Sequence, residues 1–134
     1  MSSSHIPTGF QTITPYLSLK DAAGFVNFCE RAFGAELLRS AKDESGTLNH
    51  TEIRIAGAIL ELAEVRPGKQ PTRMAFHVFV PDADAAYAQA LSAGATSTYP
   101  VATHPYGERS GGVVDAWGND WYLATQVDAA ARAE

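Results

Sequence analysis

Three side chains of the sequence combine the residue types and the strand-like setting that proton chemistry needs. Glu61 lies between Leu60 and Leu62, and because successive side chains of a strand point to opposite faces, it faces away from the leucines. The same alternation turns His50 and His77 away from the apolar residues beside them. An imidazole and a carboxylate can act as proton acceptor and orienting group near neutral pH. We predict that Glu61 and His77 are the catalytic residues.

A second set of side chains is predicted to bind a ligand, on the same faces or in the loops beside them. This set comprises Tyr16, His50, Glu52, Arg54, Phe79, Arg109 and Tyr122. Its aromatic rings offer stacking surfaces, and its charged groups offer hydrogen bonds to a polar ligand.

Several of these residues also have a structural interpretation, which stays open at this point. Glu61 either organises the site or pairs with Arg54 of an adjacent strand, and Glu52 is expected to pair with Arg54. Arg109 either clamps a carboxylate or phosphate with its planar guanidinium or is a solvated loop charge. The two histidines either ligate a metal around Glu61 or form hydrogen bonds across the sheet.

Other residues with reactive groups are expected to be structural. Cys29 falls among phenylalanines at helical spacing and is predicted to be a small buried hydrophobe. Trp117 and Trp121 are predicted to fill the core, whereas His5 and His104 fall in loops and are expected to lie in solvent. No glycine-rich phosphate loop, nucleophile elbow or Cys-x-x-Cys motif supports phosphoryl transfer or hydrolysis by a triad.

The elements that position these residues recur after about 60 residues, which indicates one supersecondary unit used twice. Asp21 opens an apolar helical run that ends at Gly34, and Asp82 opens another that ends at Gly94. Aspartate before a helix and glycine after it are typical capping residues. The two halves must bury their apolar faces, and the cleft between them is the expected ligand site.

Alternating polarity and helical spacing predict the order βαβββ in both halves. The predicted strands are 13–19, 36–41, 48–55, 58–65, 74–80, 96–99, 111–114 and 121–125, and a helix follows each capping aspartate. We therefore expect an α+β fold of one domain over residues 1–134, with module one at about 10–66 and module two at about 72–127. The arm of residues 1–10 is expected to be loose, and the tail from Asp128 is expected to fray.

Composition narrows the classes of partner. The chain has 134 residues and a net charge of −5, and this acidic balance argues against a nucleic-acid or anionic-membrane partner. The amino terminus lacks the basic start and apolar run of a signal peptide, and no segment is long and apolar enough to span a bilayer. With a single cysteine and hence no internal disulfide, the protein is expected to be cytoplasmic.

Five phrases of the sequence resemble the vicinal-oxygen-chelate superfamily, which holds glyoxalase I, the fosfomycin and bleomycin resistance proteins and the extradiol dioxygenases. They are ITPYL at 13–17, AFGAELL at 32–38, HTEIRI at 50–55, YGERSGG at 106–112 and DAWGN at 115–119. The phrases are similar to the glyoxalase-like or PhnB-like branch, and the resemblance covers nearly the whole chain. It implies two tandem βαβββ modules forming curved mixed sheets around a shared cleft, and it leads us to expect a homodimer.

The resemblance also implies where the metal-dependent members hold their metal, which corresponds in this chain to Thr14, Glu61, Ala75 and Tyr122. Only Glu61 is a good ligand, because Ala75 has no donor atom and a hydroxyl or phenol rarely binds a divalent ion unaided. We therefore predict no metal and no other cofactor. Glu61 is expected to organise the site, with the Tyr122 hydroxyl donating a hydrogen bond to it and with His77 and Arg54 as further polar contacts.

Three functions remain compatible with the sequence. The first, which we predict, is a metal-free small-molecule-binding protein of the bleomycin-resistance type, with its ligand in the cleft between modules. The main alternative is a metal-dependent lyase, isomerase or transferase of the glyoxalase type, in which His50 or His77 joins Glu61 around zinc, nickel or manganese. The third is an interaction module whose cleft is filled by its own side chains. Whether the chain is an enzyme stays open.

Overall fold

Both halves of the chain follow one path: a strand, a capped helix, and three strands that return beside the first. In the computed structural model, which describes residues 4–132, the first half comprises β1 (Tyr16–Leu19), α1 (Ala22–Phe33), β2 (Glu36–Lys42), β3 (Leu48–Ile55) and β4 (Ala58–Glu64). The second half comprises β5 (Ala75–Phe79), α2 (Ala83–Ser92), β6 (Thr96–His104), β7 (Glu108–Val114) and β8 (Asp120–Gln126). A short 3₁₀ helix follows at Ala129–Arg132.

The predicted helix caps are present in both halves. Asp21 Oδ1 accepts a hydrogen bond from the backbone N–H of Gly24, and Asp82 Oδ1 accepts one from that of Ala85, each at 3.1 Å. Each carboxylate satisfies a free N–H group of a first helical turn, where negative charge is favourable. Gly34 ends α1 in the left-handed conformation, with φ of 66°.

The two sheets have the same strand order. One is β1-β4-β3-β2 and the other is β5-β8-β7-β6, and in each the first two strands are parallel while the other neighbours are antiparallel. Tyr16 lies opposite Glu61 in the first parallel pair, and His77 lies opposite Tyr122 in the second. The predicted α+β fold of tandem βαβββ modules is therefore confirmed.

The core lies between the sheets and the helices. Leu17, Ile53 and Leu62 are fully buried on the side of the first sheet that packs on α1. Trp121 of the second sheet stacks on Phe76 with ring centroids 4.2 Å apart and lies 4.3 Å from the ring of Phe33 in α1. Because α1 contacts both sheets, it joins the two halves, and the prediction that Trp121 fills the core is confirmed.

Two more structural predictions concern the same layer, and that for Cys29 is confirmed. Trp117 is only partly buried and packs edge-on against Phe25 of α1 at the border of the core, with ring centroids 5.3 Å apart. Cys29 is fully buried, and this burial raises the pKa of its thiol, so that it carries no thiolate near neutral pH.

Three strands differ from the prediction by three residues or more at one end, and one of them, β7, begins at Glu108 and not at residue 111. β1 begins at Tyr16 and not at residue 13, because the side chain of Gln11 takes the place of a strand partner. Its amide contacts the carbonyl of Ile59 at 2.6 Å and the backbone N–H of Ile59 at 3.3 Å. β6 extends to His104, well beyond residue 99, since Pro100 lies on an edge strand where its missing N–H breaks no ladder.

The ends of the chain are more ordered than expected over the residues that the structure describes. From residue 4 onward the arm follows the first sheet, held there by Gln11. The tail does not fray, since the backbone N–H of Asp128 donates to the carbonyl of Gly107 at 3.1 Å. The remaining parts of both predictions, residues 1–3 and 133–134, lie outside the described residues. Between residues 4 and 132, no helix is long and apolar enough to cross a membrane.

Candidate functional site

Each sheet has one face toward the helices and one face away from them, and the outer face carries the polar side chains. In β3 and β4 the residues Thr51, Ile53, Leu60 and Leu62 are buried on the helix side, and the residues between them point outward. The first polar face comprises Tyr16, His50, Glu52, Arg54 and Glu61. The second polar face comprises His77, Phe79, Tyr99, Glu108 and Tyr122.

A histidine and two glutamates form the centre of the first polar face. Strand register sets Glu52 beside Glu61, and His50 Nε2 lies 3.0 Å from Glu52 Oε2 and 3.4 Å from Glu61 Oε1. Two neighbouring carboxylates repel each other, and an imidazolium or a cation near both relieves that repulsion. One ligand atom from each of the three residues falls within 4.8 Å of the others, which is compatible with a shared metal ion. The predicted proximity of His50 to Glu61 is thus found.

The amino-terminal arm encloses a cavity over this centre. The cavity has a volume of about 490 Å³, and its walls include Glu52 and Glu61 from the sheet, Arg39 from β2, and His5 and Phe10 from the arm. His5 is exposed to solvent, as expected, and it also borders this cavity. Nothing in the local sequence marks this contact, because it depends on the route that Gln11 imposes on the arm.

Arg54 does not pair with Glu52 or Glu61, so both expected ion pairs are wrong. Its guanidinium lies 3.5 Å from the carboxylate of Glu36, which faces it across the antiparallel pair of β2 and β3. Glu52 instead turns toward His50. Both partners in the Arg54–Glu36 pair are well exposed, so this contact contributes little to stability.

The second polar face holds a histidine–glutamate pair of its own. His77 Nε2 lies 2.8 Å from Glu108 Oε1, and the Glu108 carboxylate is largely buried, with its side chain 10% exposed. Sequence reasoning missed Glu108, because it began the strand at residue 111 and left residues 106–110 in a loop, whereas Glu108 begins β7. The only feature of the sequence that could have indicated a strand here is the position of Glu108 next to a segment in which polar and apolar residues alternate.

Tyr122 and His77 lie on this second face and not beside Glu61. Tyr122 packs edge-on against His77 and lies near Tyr99, and no hydrogen bond within residues 4–132 joins it to Glu61. The predicted Tyr122–Glu61 hydrogen bond is therefore wrong in this chain, and His77 makes no contact with Glu61. The physical reason is that each module forms a sheet of its own, in which strand register places Tyr16 beside Glu61 and His77 beside Tyr122.

Six rings form a continuous aromatic row across the second polar face. In spatial order they belong to Phe79, His77, Tyr122, Tyr99, His104 and Tyr106. His77 stacks on Phe79 at 4.6 Å, and Tyr99 and Tyr122 lie 6.3 Å apart with their planes inclined by 29°. A Cβ on Gly112 would clash with the Tyr99 ring, so glycine at this point allows Tyr99 to lie flat across β7.

His104 belongs to this row, and the expectation that it lies in solvent is wrong. Its ring is parallel to that of Tyr106, with centroids 5.1 Å apart. Its Nε2 is buried and has no hydrogen-bond partner among the described residues. The error arose because β6 was predicted to end five residues too early for His104 to share the sheet.

Arg109 lies on the opposite side of the second sheet from the aromatic row. Its guanidinium binds both carboxylate oxygens of Asp84 in α2, at 2.7 Å and 2.9 Å. These hydrogen bonds lower the pKa of Asp84 and raise that of Arg109. Arg109 therefore lies on a strand and not in a loop, its charge is paired with Asp84, and its role in ligand binding stays a prediction.

A groove runs between the two modules. It has a volume of about 520 Å³ and is lined by Ile13, Pro15 and Leu60 from the first module and by Phe76 and Phe79, among others, from the second. Its walls are mainly apolar, and His77 is the titratable side chain that reaches it. A groove of this size and composition suits a small organic molecule.

The four positions implied for a family metal do not fit such an ion in this chain. Thr14 Oγ1 donates to the carbonyl of Gln11 at 3.0 Å, Ala75 has no side-chain donor, and Tyr122 lies in the second sheet, away from Glu61. The fitting donor set is a different one, formed by His50, Glu52 and Glu61.

Comparison with known proteins gives one family. A sequence profile of the Glyoxalase/Bleomycin resistance protein/Dioxygenase superfamily matches residues 10–123. An uncharacterized protein of Mycobacterium bovis is 33% identical over 126 residues, which span 86% of this chain and 83% of that protein.

Solved structures agree with this result. TioX from Micromonospora sp. ML1 has a TM-score of 0.72 and 25% identity, with 89% of this chain and 98% of TioX covered. The PhnB protein from Bacillus cereus has a TM-score of 0.65 and 18% identity, over 86% of this chain and 99% of its own, which shows a shared fold.

Proposed function

Because this chain belongs to the glyoxalase/bleomycin resistance protein/dioxygenase superfamily, we propose that it binds a small organic molecule without a metal at the four implied positions. The observation that supports this most directly is the donor set at those positions, where Glu61 is the only carboxylate. The polar faces and the groove between them offer carboxylates, imidazoles and rings to such a molecule. Glu61 and His77 are the residues to which we assign the central polar contacts, and a cytoplasmic location stays a prediction.

We also propose that the ligand-binding form is a homodimer. β1 and β5 are edge strands, and Ile13, Tyr16 and Phe79 beside them are 85%, 49% and 55% exposed. Open strand edges with exposed apolar side chains favour association. A second copy that seats its β5 edge near β1 would bring the second polar face of one chain beside the first polar face of the other. Light scattering should then give twice the chain mass of 14.3 kDa, and a single-chain mass at micromolar concentration would contradict the dimer.

A specific observation favours a second candidate, a divalent-metal protein of the glyoxalase type. The imidazole of His50 and the two carboxylates offer three ligand atoms in one cluster, and such a donor set suits zinc, nickel or manganese. A bound ion would supply a Lewis acid there. The residues themselves would hold and orient a ligand, and Arg39 in the same cavity would attract an anionic group.

One experiment separates the two candidates. Purified protein is stripped with a chelator, and ligand-observed NMR is recorded against a set of neutral, anionic and cationic aromatic fragments before and after zinc, nickel or manganese is added. The metal-free proposal expects binding that is unchanged by the chelator and weakened about tenfold by Glu61→Gln, since the amide keeps the volume but loses the charge.

The matched control is Glu44→Gln, which makes the same change on an exposed hairpin and should leave binding unchanged. Stoichiometric metal in elemental analysis, with binding that depends on it, would replace the first candidate by the second. If no fragment binds, with or without added metal, the third function is favoured, that of an interaction module whose cleft is filled by its own side chains.

A further inference from the structure

We propose that the second polar face recognises flat organic cations, that is, planar ring systems that carry a positive charge. This inference rests on the proposed function, because it names the chemical class of the molecule that the site takes. It is carried by three features of this face: its aromatic row, its buried carboxylate and the placement of its neighbouring cationic side chains.

The charge of the face is negative. Glu108 and Asp120 are its carboxylates, and the four strands of the second sheet contain one arginine, Arg109, no lysine, and the imidazoles of His77 and His104. Arg109 is directed to the helix side and bound by Asp84. Arg73, just before β5, donates to the carbonyl of Gly118. An anionic ligand would therefore find no guanidinium or ammonium group among the described residues of this surface.

The buried carboxylate provides a specific partner for a cation. Glu108 Oε1 is bound to His77, while Oε2 makes no hydrogen bond to another residue in the described part of the chain. The side chain is largely screened from solvent, and a carboxylate in such a setting attracts a positive charge more strongly than one in water. Oε2 is thus free to accept a hydrogen bond from an N–H group or to face a quaternary nitrogen.

The aromatic row provides the flat surface. Tyr99 and Tyr122 present ring faces, and Phe79 at the end of the row is 55% exposed. The face of an aromatic ring carries partial negative charge and binds cations, most strongly where water is excluded. Rings and carboxylate therefore favour the same ligand, one that is both planar and positively charged.

Gly112 fixes this geometry. Because a Cβ there would strike the Tyr99 ring, the flat orientation of Tyr99 depends on that glycine. The equivalent point of the first sheet, opposite Glu61, carries Glu52. The flat ring arrangement that Gly112 permits is thus not repeated at the equivalent point of the first sheet.

The test uses 1-methylquinolinium and quinoline, which share a ring system and differ in charge at pH 7.5. Isothermal titration calorimetry on the full chain should give at least about tenfold tighter binding for 1-methylquinolinium. Glu108→Gln should remove most of this preference, and Glu44→Gln should retain it. Gly112→Ala should weaken both compounds by displacing Tyr99, and circular dichroism checks that each variant is folded.

Equal binding of the two compounds, tighter binding of quinoline, or a preference that survives Glu108→Gln would overturn the proposal. A preference for quinoline-4-carboxylate would do the same, since it would require a cationic surface. If other fragments bind in a Glu61-dependent manner while 1-methylquinolinium does not, the inference fails and the proposed function stands. If no fragment binds at all, both fail.

Discussion

The two polar faces rest on the same backbone and carry different chemistry. At equivalent points of the parallel strand pair, the first module has Tyr16 opposite Glu61 and the second has His77 opposite Tyr122. A phenol and a carboxylate in one half are replaced by an imidazole and a phenol in the other. The two modules therefore share a backbone arrangement but differ in the functional groups that it carries.

Both faces nevertheless contain a histidine–glutamate pair, built from positions that do not correspond. His50 and Glu52 are two residues apart on β3, with Nε2 and Oε2 at 3.0 Å. His77 and Glu108 come from β5 and β7, which β8 separates, with Nε2 and Oε1 at 2.8 Å. The two pairs are about equally exposed, with side-chain exposures of 36% and 12% for His50 and Glu52 and of 45% and 10% for His77 and Glu108. The second carboxylate that Glu61 adds beside the first pair, and not burial, distinguishes the two.

The largest effect should come from a change that affects both faces at once. Trp121→Ala removes the ring that packs on Phe76 and on α1, and we expect it to lower the free energy of unfolding by about 3–5 kcal/mol. Urea denaturation measures this loss. Tyr106→Leu, at a ring that is 54% exposed, is the control and should cost far less. Similar stabilities for the two variants would show that Trp121 does not join the modules.

The next comparison removes each histidine in turn. His77→Ala leaves the buried Glu108 carboxylate without its partner, which should cost about 1–3 kcal/mol of unfolding free energy. His50→Ala should cost a similar amount, because the Glu52 side chain is only 12% exposed and the loss of the imidazole leaves it beside Glu61. Denaturation of both variants in one buffer compares the two costs. A cost well below about 1 kcal/mol for His50→Ala would show that water replaces the imidazole on the first face.

A smaller effect is expected from releasing the arm. Gln11→Ala removes two hydrogen bonds to Ile59 and should cost about 1 kcal/mol, with faster amide exchange at Ile59. Binding at the first polar face should change, and binding at the second should not. Thr12→Ala, on the neighbouring arm residue, is the control. Unchanged exchange at Ile59 would show that the arm is held by other contacts.

The smallest effect concerns the loss of folding stability at acidic pH. Arg109 holds the pKa of Asp84 below its ordinary value, so their pairing stabilises the fold above the unfolded pKa of about 3.9 and is lost as pH falls through the folded pKa. Arg109→Met should therefore shift the acid-unfolding midpoint slightly upward in pH, and the effect should be small because both groups are exposed. Arg66→Met is the control. A loss of ligand binding in Arg109→Met would indicate that Arg109 contributes to the ligand site.

Sequence reasoning succeeded where a local rule decides the outcome. Asp21 and Asp82 cap their helices, and alternation assigns Glu61 to the outer face, because both effects depend on residues within a few positions. Glu108 and Arg109 were misjudged because their partners, His77 and Asp84, lie far away in the chain. Such pairings follow from strand register and from helix placement, and neither can be deduced from spacing alone.

The site itself was predicted as one cleft, and the chain shows two separate faces. The alternation of polar and apolar residues correctly predicted which side chains point to the outer face of each sheet. It carries no information on how one sheet is placed relative to the other, since this depends on how α1, Phe33 and Trp121 pack. The correction to His104 has a related origin, because the extension of β6 brought it to the second polar face.

The anchored arm also has a practical consequence for how the protein is prepared. His5 already forms part of the wall above Glu52 and Glu61, so an affinity tag joined to the amino terminus would start close to those carboxylates. A polyhistidine tag there would add imidazole ligands to the first polar face and imitate a native metal centre. A tag at the carboxyl terminus would follow the 3₁₀ helix at Ala129–Arg132, whose neighbour Asp128 is bound to Gly107 of the second module. Metal stoichiometry measured on protein tagged at the carboxyl terminus would therefore report metal bound by the protein's own residues and not by the tag.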